Sequence, residues 1–150
     1  MKRKFIPLVP LTLILAVLVS GCFNNNNANT TPVPYPNGTF SGTFKLLRKK
    51  VNQTTIDTLK KANIQLVLEN GVGFKVLGDT ATVHAGSKGH YGINQTYVAF
   101  DDETFPKTGT PPKIHLYGTY LYSYDGNSNL IILFNQGDTL NYRYDLKRTN

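Results

Sequence analysis

Hydrophobic and polar residues alternate along three long runs of the chain after residue 37. The members of one alternating set in each run are Phe40, Gly42, Phe44 and Leu46, then Ala62, Ile64, Leu66 and Leu68, then Leu140, Tyr142, Tyr144 and Leu146. Successive side chains of a β-strand point to opposite faces of the sheet. Each run therefore predicts a strand with one face toward a core and the other toward water.

Turn-forming residues separate these runs. Asn-Gly at 70–71, Asp-Gly at 125–126 and Gly-Asp at 137–138 stand between alternating segments, where such pairs are strong hairpin signals. The segment 101–112 contains three prolines, so we expect a loop there rather than a strand. The pattern predicts about eight strands in sequence with short connections.

The segment 54–62 allows two interpretations. Thr54 could cap two helical turns, with Asp57 three residues later. The segment could equally extend the strand that follows, because Thr and Ile are frequent in strands. We favour the strand.

Eight consecutive antiparallel strands with one apolar face predict an all-β fold, an up-and-down meander that closes into a small barrel. Closure removes the exposed sheet edges, and the interior of such a barrel is filled by side chains or admits one small ligand. A β-sandwich is the alternative fold.

The first 22 residues combine a cationic start, an apolar stretch and small residues before a cysteine. The apolar stretch 6–19 has about 14 residues, fewer than the ~20 of a membrane-spanning helix. Val19-Ser20-Gly21-Cys22 resembles the lipobox of bacterial lipoproteins. The resemblance implies that 1–21 is a signal peptide and that Cys22, the only cysteine, is acylated and anchors the protein in a membrane.

The segment 22–36 is rich in Asn, Thr and Pro, so it predicts a disordered tether ahead of a single domain at 37–150. No acidic residue directly follows Cys22. By resemblance to other lipoproteins, this pattern implies a lipid-anchored location in the cell envelope, at the outer membrane and facing the periplasm.

Four segments of the predicted domain resemble the calycins, the superfamily of lipocalins and avidins. They are 38–44, with a Gly-x-aromatic opening, and the late strands 115–124, 129–134 and 142–148. The chain is similar to small lipocalin-like lipoproteins of bacteria. The resemblance implies an eight-stranded barrel over 37–150.

Charge narrows the set of partners. The chain has 16 basic and 9 acidic residues, a net charge of +7. Three basic residues would leave with the signal peptide, so 13 would remain against 9 acidic ones, or +4. The clusters 48–50 and 60–61 could meet acidic lipids, although a solvated strand edge is the favoured interpretation. No nucleic-acid-binding motif is present, so we expect no nucleic-acid partner.

Tyrosines are the candidate ligand-binding residues: Tyr117, Tyr120, Tyr122, Tyr142 and Tyr144. Their hydroxyl groups could orient an apolar or aromatic ligand in a barrel cavity. They could equally fill a closed core, each hydroxyl reaching solvent at a barrel end. Strand alternation places Tyr120 and Tyr122 on one face and Tyr117 on the other.

Residues for catalysis or metal binding form no recognisable pattern. We expect His84, His90 and His115 in loops or at strand ends, because their spacing matches no zinc motif. We expect the acidic cluster 101–103 to end a strand facing water. No nucleophile elbow or triad pattern is present, so the prediction is a protein without enzymatic activity, metal or cofactor.

Two functional hypotheses remain. In the first, a membrane-tethered barrel binds a small apolar ligand or an envelope partner. In the second, the barrel is filled and serves a structural or assembly role. A large apolar cavity would favour the first, and a dense core of Tyr and Phe the second.

Overall fold

The computed structural model describes residues 34–50 and 55–150, in which every regular element is a β-strand. The strands are β1 (Gly38–Lys49), β2 (Ile56–Glu69), β3 (Gly73–Gly78), β4 (Lys88–Ile93), β5 (Tyr97–Asp102), β6 (Gly118–Tyr124), β7 (Asn129–Gln136) and β8 (Leu140–Arg148). Each pairs antiparallel with the next, and β8 pairs with β1. The predicted eight-stranded closed meander is confirmed, and closure rules out the sandwich.

Within the ambiguous segment 54–62, residues 56–62 belong to a strand. β2 begins at Ile56 and pairs with β1 from Lys49 back to Gly38, with one irregularity between Leu46 and Leu47. Thr54, the proposed helix cap, lies outside the described residues.

No helix in the described part of the chain is long and apolar enough to cross a membrane.

The alternating apolar sets fill the barrel interior as predicted. Phe40 and Phe44 of β1 are fully buried, and they face Leu66 and Ala62 across the β1–β2 ladder. Tyr144 faces Phe44 on the other side, at a ring-centroid distance of 4.9 Å. The middle of the barrel is therefore a packed aromatic and aliphatic core.

The two ends of the barrel differ. At the entry end, where β1 begins and β8 finishes, the strands are joined by short turns at 70–72, 94–96 and 125–128. At the opposite end, the loop end, β3 connects to β4 through residues 79–87 and β5 to β6 through residues 103–117. We call these connections the β3–β4 loop and the β5–β6 loop.

The entry end is closed by Pro36, which is buried although the predicted tether includes it. Beneath Pro36, Leu68, Val98 and Ile132 leave no room for a water molecule. The chain thus already contacts the barrel at Pro36, one residue before the predicted start of the domain. The predicted signal peptide 1–21, Cys22 and the tether up to residue 33 lie outside the described residues.

The two long loops of the loop end hold each other. The Ala85 N–H donates to the Ile114 carbonyl at 2.8 Å, and the Ile114 N–H donates to the Val83 carbonyl at 3.0 Å. The Lys113 ammonium donates to the Thr80 carbonyl at 2.8 Å. Because buried backbone groups require partners, this pairing lets both loops cover part of the barrel mouth.

A candidate ligand-binding cleft

A cleft of about 450 Å³ opens at the loop end, between the β5–β6 loop and the ends of β2, β7 and β8. Five aromatic side chains line it: Phe105, Tyr117, Tyr120, Phe134 and Tyr142. Apolar and aromatic linings with a few polar groups are typical of small-molecule sites.

Strand alternation explains most of this lining. Tyr120 of β6, Phe134 of β7 and Tyr142 of β8 occupy the alternate positions that also hold the buried residues Ile132 and Tyr144. These positions point inward, and those near the loop end meet the cleft rather than the packed middle. The cleft is therefore the part of the barrel interior nearest the loop end.

The aromatic rings of the cleft support one another. Phe105 stacks on Tyr117 with centroids 4.4 Å apart and planes 22° apart. Phe134 packs between Tyr120 and Tyr142 at 5.3 and 5.6 Å. The Tyr142 hydroxyl donates to Gln136 Oε1 at 2.8 Å. Such contacts restrict the motion of the rings that line the cleft.

The structure divides the five predicted tyrosines. Tyr117, Tyr120 and Tyr142 line the cleft, and Tyr144 is fully buried in the core beneath it. Tyr122 lies at the entry end, where its hydroxyl donates to the Asn94 carbonyl at 2.7 Å. Tyr117 reaches the cleft despite its predicted outward face, since β6 begins only at Gly118 and strand alternation does not apply before it.

The prediction that the cluster 101–103 faces water is wrong for Asp102, whose side chain is fully buried. Its Oδ1 accepts from the Thr104 N–H at 2.8 Å and from the Thr104 hydroxyl at 2.6 Å. Its Oδ2 lies 2.7 Å from His115 Nδ1. Burial raises the pKa of this carboxyl, but hydrogen bonds from Ser87, Thr104 and His115 together outweigh burial and hold the pKa below its usual value.

His115 connects this buried carboxylate to the cleft. It lines the cleft, its side chain is 9% exposed, and its ring packs edge-on against Phe105 at 5.3 Å. Because Nδ1–H donates to Asp102, the ring orientation is fixed and Nε2 is the nitrogen left for other partners.

His84 is a second buried histidine, in the β3–β4 loop. Its Nδ1 lies 2.7 Å from the Ala85 carbonyl, which can only accept, so Nδ1 carries the proton. Its Nε2 then accepts from the Tyr144 hydroxyl at 3.0 Å. Burial lowers the pKa of His84 to about 4, so the ring is neutral at pH 7.

Tyr144 and Tyr120 extend this chain toward the cleft. Burial raises the pKa of Tyr144 well above its usual value, and it raises that of Tyr120 to about 12. The hydroxyl groups of both tyrosines also interact with each other. The neutral groups His84, Tyr144 and Tyr120 thus link the core to the cleft floor without a buried charge.

The buried polar residues at the loop end, His84, Ser87 and Asp102, were not predicted as a group. His84 was correctly placed in a loop, but nothing in its neighbours indicates its burial. Ser87 accepts from the Leu116 N–H at 3.0 Å, across 29 residues of sequence. Only the pairing of the two long loops assembles this group, and that pairing has no local sequence signature.

The described residues contain no group of three or more His, Cys, Asp or Glu side chains that could hold a metal ion. The polar groups of the cleft instead include two lysines, Lys60 and Lys113, and no acidic residue lines it.

In comparisons with known proteins, no family model matches the chain, and neither a curated protein nor a solved structure shows significant similarity to it. The resemblance to lipocalin-like lipoproteins therefore stays a prediction from the sequence.

Proposed function

We propose that this protein is a lipid-anchored cell-envelope protein whose barrel binds a small apolar ligand in the cleft at its loop end. The observation that carries the proposal is the cleft itself. It has a volume of about 450 Å³ and a wall of five aromatic side chains, and ligand sites commonly measure about 300–1,000 Å³.

The organisation of the cleft supports binding over simple filling. Its lining includes Tyr120 and the stacked pair Phe105 and Tyr117. Behind Tyr120, the ring of Tyr144 packs edge-on at 6.1 Å and is held by its hydrogen bond to His84. A ligand would meet an apolar surface that is already ordered, so little conformational entropy is lost on binding.

The envelope location is supported by the sequence of residues 1–22. A signal peptide over 1–21, an acylated Cys22 and the tether that follows it would retain the barrel at the outer membrane, facing the periplasm. Two or three acyl chains give stable anchoring, because each buried CH₂ contributes about 0.8 kcal/mol.

Metabolic labelling with an alkynyl fatty acid tests this location. We expect label on the wild-type protein, loss of label in Cys22→Ala and retention in the control Ser20→Ala. Equal labelling of the wild type and Cys22→Ala would refute acylation at Cys22.

The second candidate is a structural or assembly role, with any envelope partner contacted from outside the barrel. The packed core of the middle and the entry end supports it, since Phe40, Phe44 and Tyr144 are fully buried and the space under Pro36 admits no water. Ligand binding is favoured because side chains fill the middle and the entry end of the barrel but leave the cleft at the loop end open.

Native mass spectrometry of the full chain, gently extracted from its own envelope, separates the two candidates. A bound ligand would give an added mass that disappears on denaturation. Tyr142→Trp narrows the cleft and should reduce the added mass, whereas Tyr97→Trp alters an exposed tyrosine outside it. A bare protein mass, with no thermal stabilisation by lipids or small aromatic compounds, would favour the structural role.

A further inference from the structure

We propose that the ligand of the cleft is an acid: an apolar aromatic or aliphatic body that carries a carboxylate. This inference rests on the proposed ligand-binding function. It is carried by the charges at the cleft, which are all of one sign.

Lys60 is an inward-facing lysine. It stands in β2 two residues before the buried Ala62, opposite Leu46, whose side chain also faces the interior. Its side chain lines the cleft at the barrel mouth. Its neighbour Lys61 occupies the outward position opposite Lys45. Solvation of the strand edge does not explain the inward position of Lys60, because an outward lysine such as Lys61 is enough for that.

Lys113 approaches the same cleft from the β5–β6 loop. One of its ammonium protons bonds the Thr80 carbonyl at 2.8 Å, which holds the side chain in place. A lysine has three donors, so two remain for a ligand. Within the described residues, neither Lys60 nor Lys113 is in an ion pair.

The nearby carboxylate of Asp102 forms no ion pair with either lysine. Asp102 is fully buried, and its oxygens are used by His115, Thr104 and the Lys88 N–H. No acidic side chain lines the cleft. His115 does not bind the carboxylate in this account, because its Nδ1–H donates to Asp102 and the Nε2 of a neutral ring can only accept.

Lys60 and Lys113 line the cleft together with its five aromatic side chains. An acid would place its apolar body against Phe134 and Tyr142 and its carboxylate at the two ammonium groups. A neutral compound of the same shape would gain the aromatic contacts alone. Charged hydrogen bonds would therefore distinguish the acid from its alcohol.

The test compares two pairs of probes by isothermal titration of the full chain in lipid nanodiscs, with empty nanodiscs as the blank. The pairs are 2-naphthoate with 2-naphthalenemethanol, and decanoate with decanol. We expect each acid to bind at least about tenfold more tightly than its alcohol. The pair with the higher affinity tells whether the body is aromatic or aliphatic.

Substitutions of single lysines test which ammonium groups bind the carboxylate of the probe. Lys60→Gln and Lys113→Gln should each weaken acid binding about three- to tenfold and leave alcohol binding unchanged. Lys61→Gln and Lys107→Gln are the matched controls: they remove one charge from the same strand or loop but outside the cleft lining, and should preserve the preference for the acid.

The outcomes distinguish the two proposals. Equal binding of acid and alcohol, both reduced by Tyr142→Trp, would overturn the acid inference and leave the ligand-binding function standing. Equal losses in Lys60→Gln and Lys61→Gln would also overturn it, because the effect would be general charge attraction. Binding of no probe would contradict the proposed function itself.

Discussion

His115 Nδ1 lies 2.7 Å from the buried carboxylate oxygen Oδ2 of Asp102. The two residues come from opposite ends of the β5–β6 loop, so this bond fixes the loop against the barrel. The Asp102 carboxylate itself does not line the cleft.

Asp102→Asn tests this relationship. The asparagine amide would present a donor to His115, or else donors to Thr104 and the Lys88 N–H, and either arrangement breaks charged hydrogen bonds. We expect a loss of about 2–3 kcal/mol in the free energy of unfolding at pH 7, measured by urea denaturation. If the amide NH₂ faces His115, ¹⁵N NMR should show the ring proton moving from Nδ1 to Nε2.

The contribution of Asp102 to stability should change with pH in a definite direction. Its pKa is lowered in the folded protein, so its stabilising contribution is present at neutral pH and is lost as the pH falls through that lowered pKa. Asp102→Asn should remove this part of the acid sensitivity. Asp101→Asn changes an exposed neighbour and is the control; equal effects of both substitutions would contradict the assignment.

The buried ring of His84 should cause a second dependence of stability on pH, at a higher pH than that of Asp102. Its folded pKa is about 4 against 6.5 for the unfolded chain, so protons bind preferentially to the unfolded state between these values. Stability is fully present above pH 6.5 and falls as the pH decreases toward 4, with a loss of about 2–3 kcal/mol by pH 4.5. Urea denaturation at pH 7.5 and 4.5 measures it.

His84→Gln should remove most of that pH-dependent loss, whatever its effect at pH 7.5. His90→Gln, which removes an imidazole whose side chain is 73% exposed, is the matched control. A reduction of the same size in both variants would show that burial of His84 is not the cause.

Tyr144→Phe isolates the hydrogen bond to His84. It deletes one buried hydroxyl and leaves Nε2 of His84 without its donor at 3.0 Å, which should cost about 1–3 kcal/mol in thermal or chemical unfolding. Tyr142→Phe removes a hydroxyl bonded to exposed Gln136, with an expected change below about 0.5 kcal/mol. Equal losses would contradict this account.

Gly42 sits where β1 closes the barrel against β8. It pairs with Leu146, and a Cβ at this position would overlap the carbonyl oxygen of Asp145. Gly42→Ala should therefore destabilise the protein by about 3 kcal/mol or more. Gly92→Ala in β4 meets no atom within 4 Å and should be tolerated. Similar melting temperatures for the two variants would contradict the close approach at the seam.

The sequence by itself determined the strands, their inward faces and several of the turns. Alternation is local: Phe40 and Phe44 must share a face whatever they pack against, because the side-chain period of a strand is two. The turn at 125–128 is local as well, since the Asp125 carboxylate accepts from the backbone N–H groups of Asn127 and Ser128. Such signals are contained within a few residues.

The tertiary structure alone decided where the cleft lies and which polar residues are buried. His84 meets Tyr144 across 60 residues of sequence, and Asp102 meets His115 across 13. A buried polar group is stable only with its partners, and here those partners come from two long loops and a distant strand. Burial of His84 and the separation of Tyr122 from Tyr120 therefore depend on packing between segments, which no local pattern encodes.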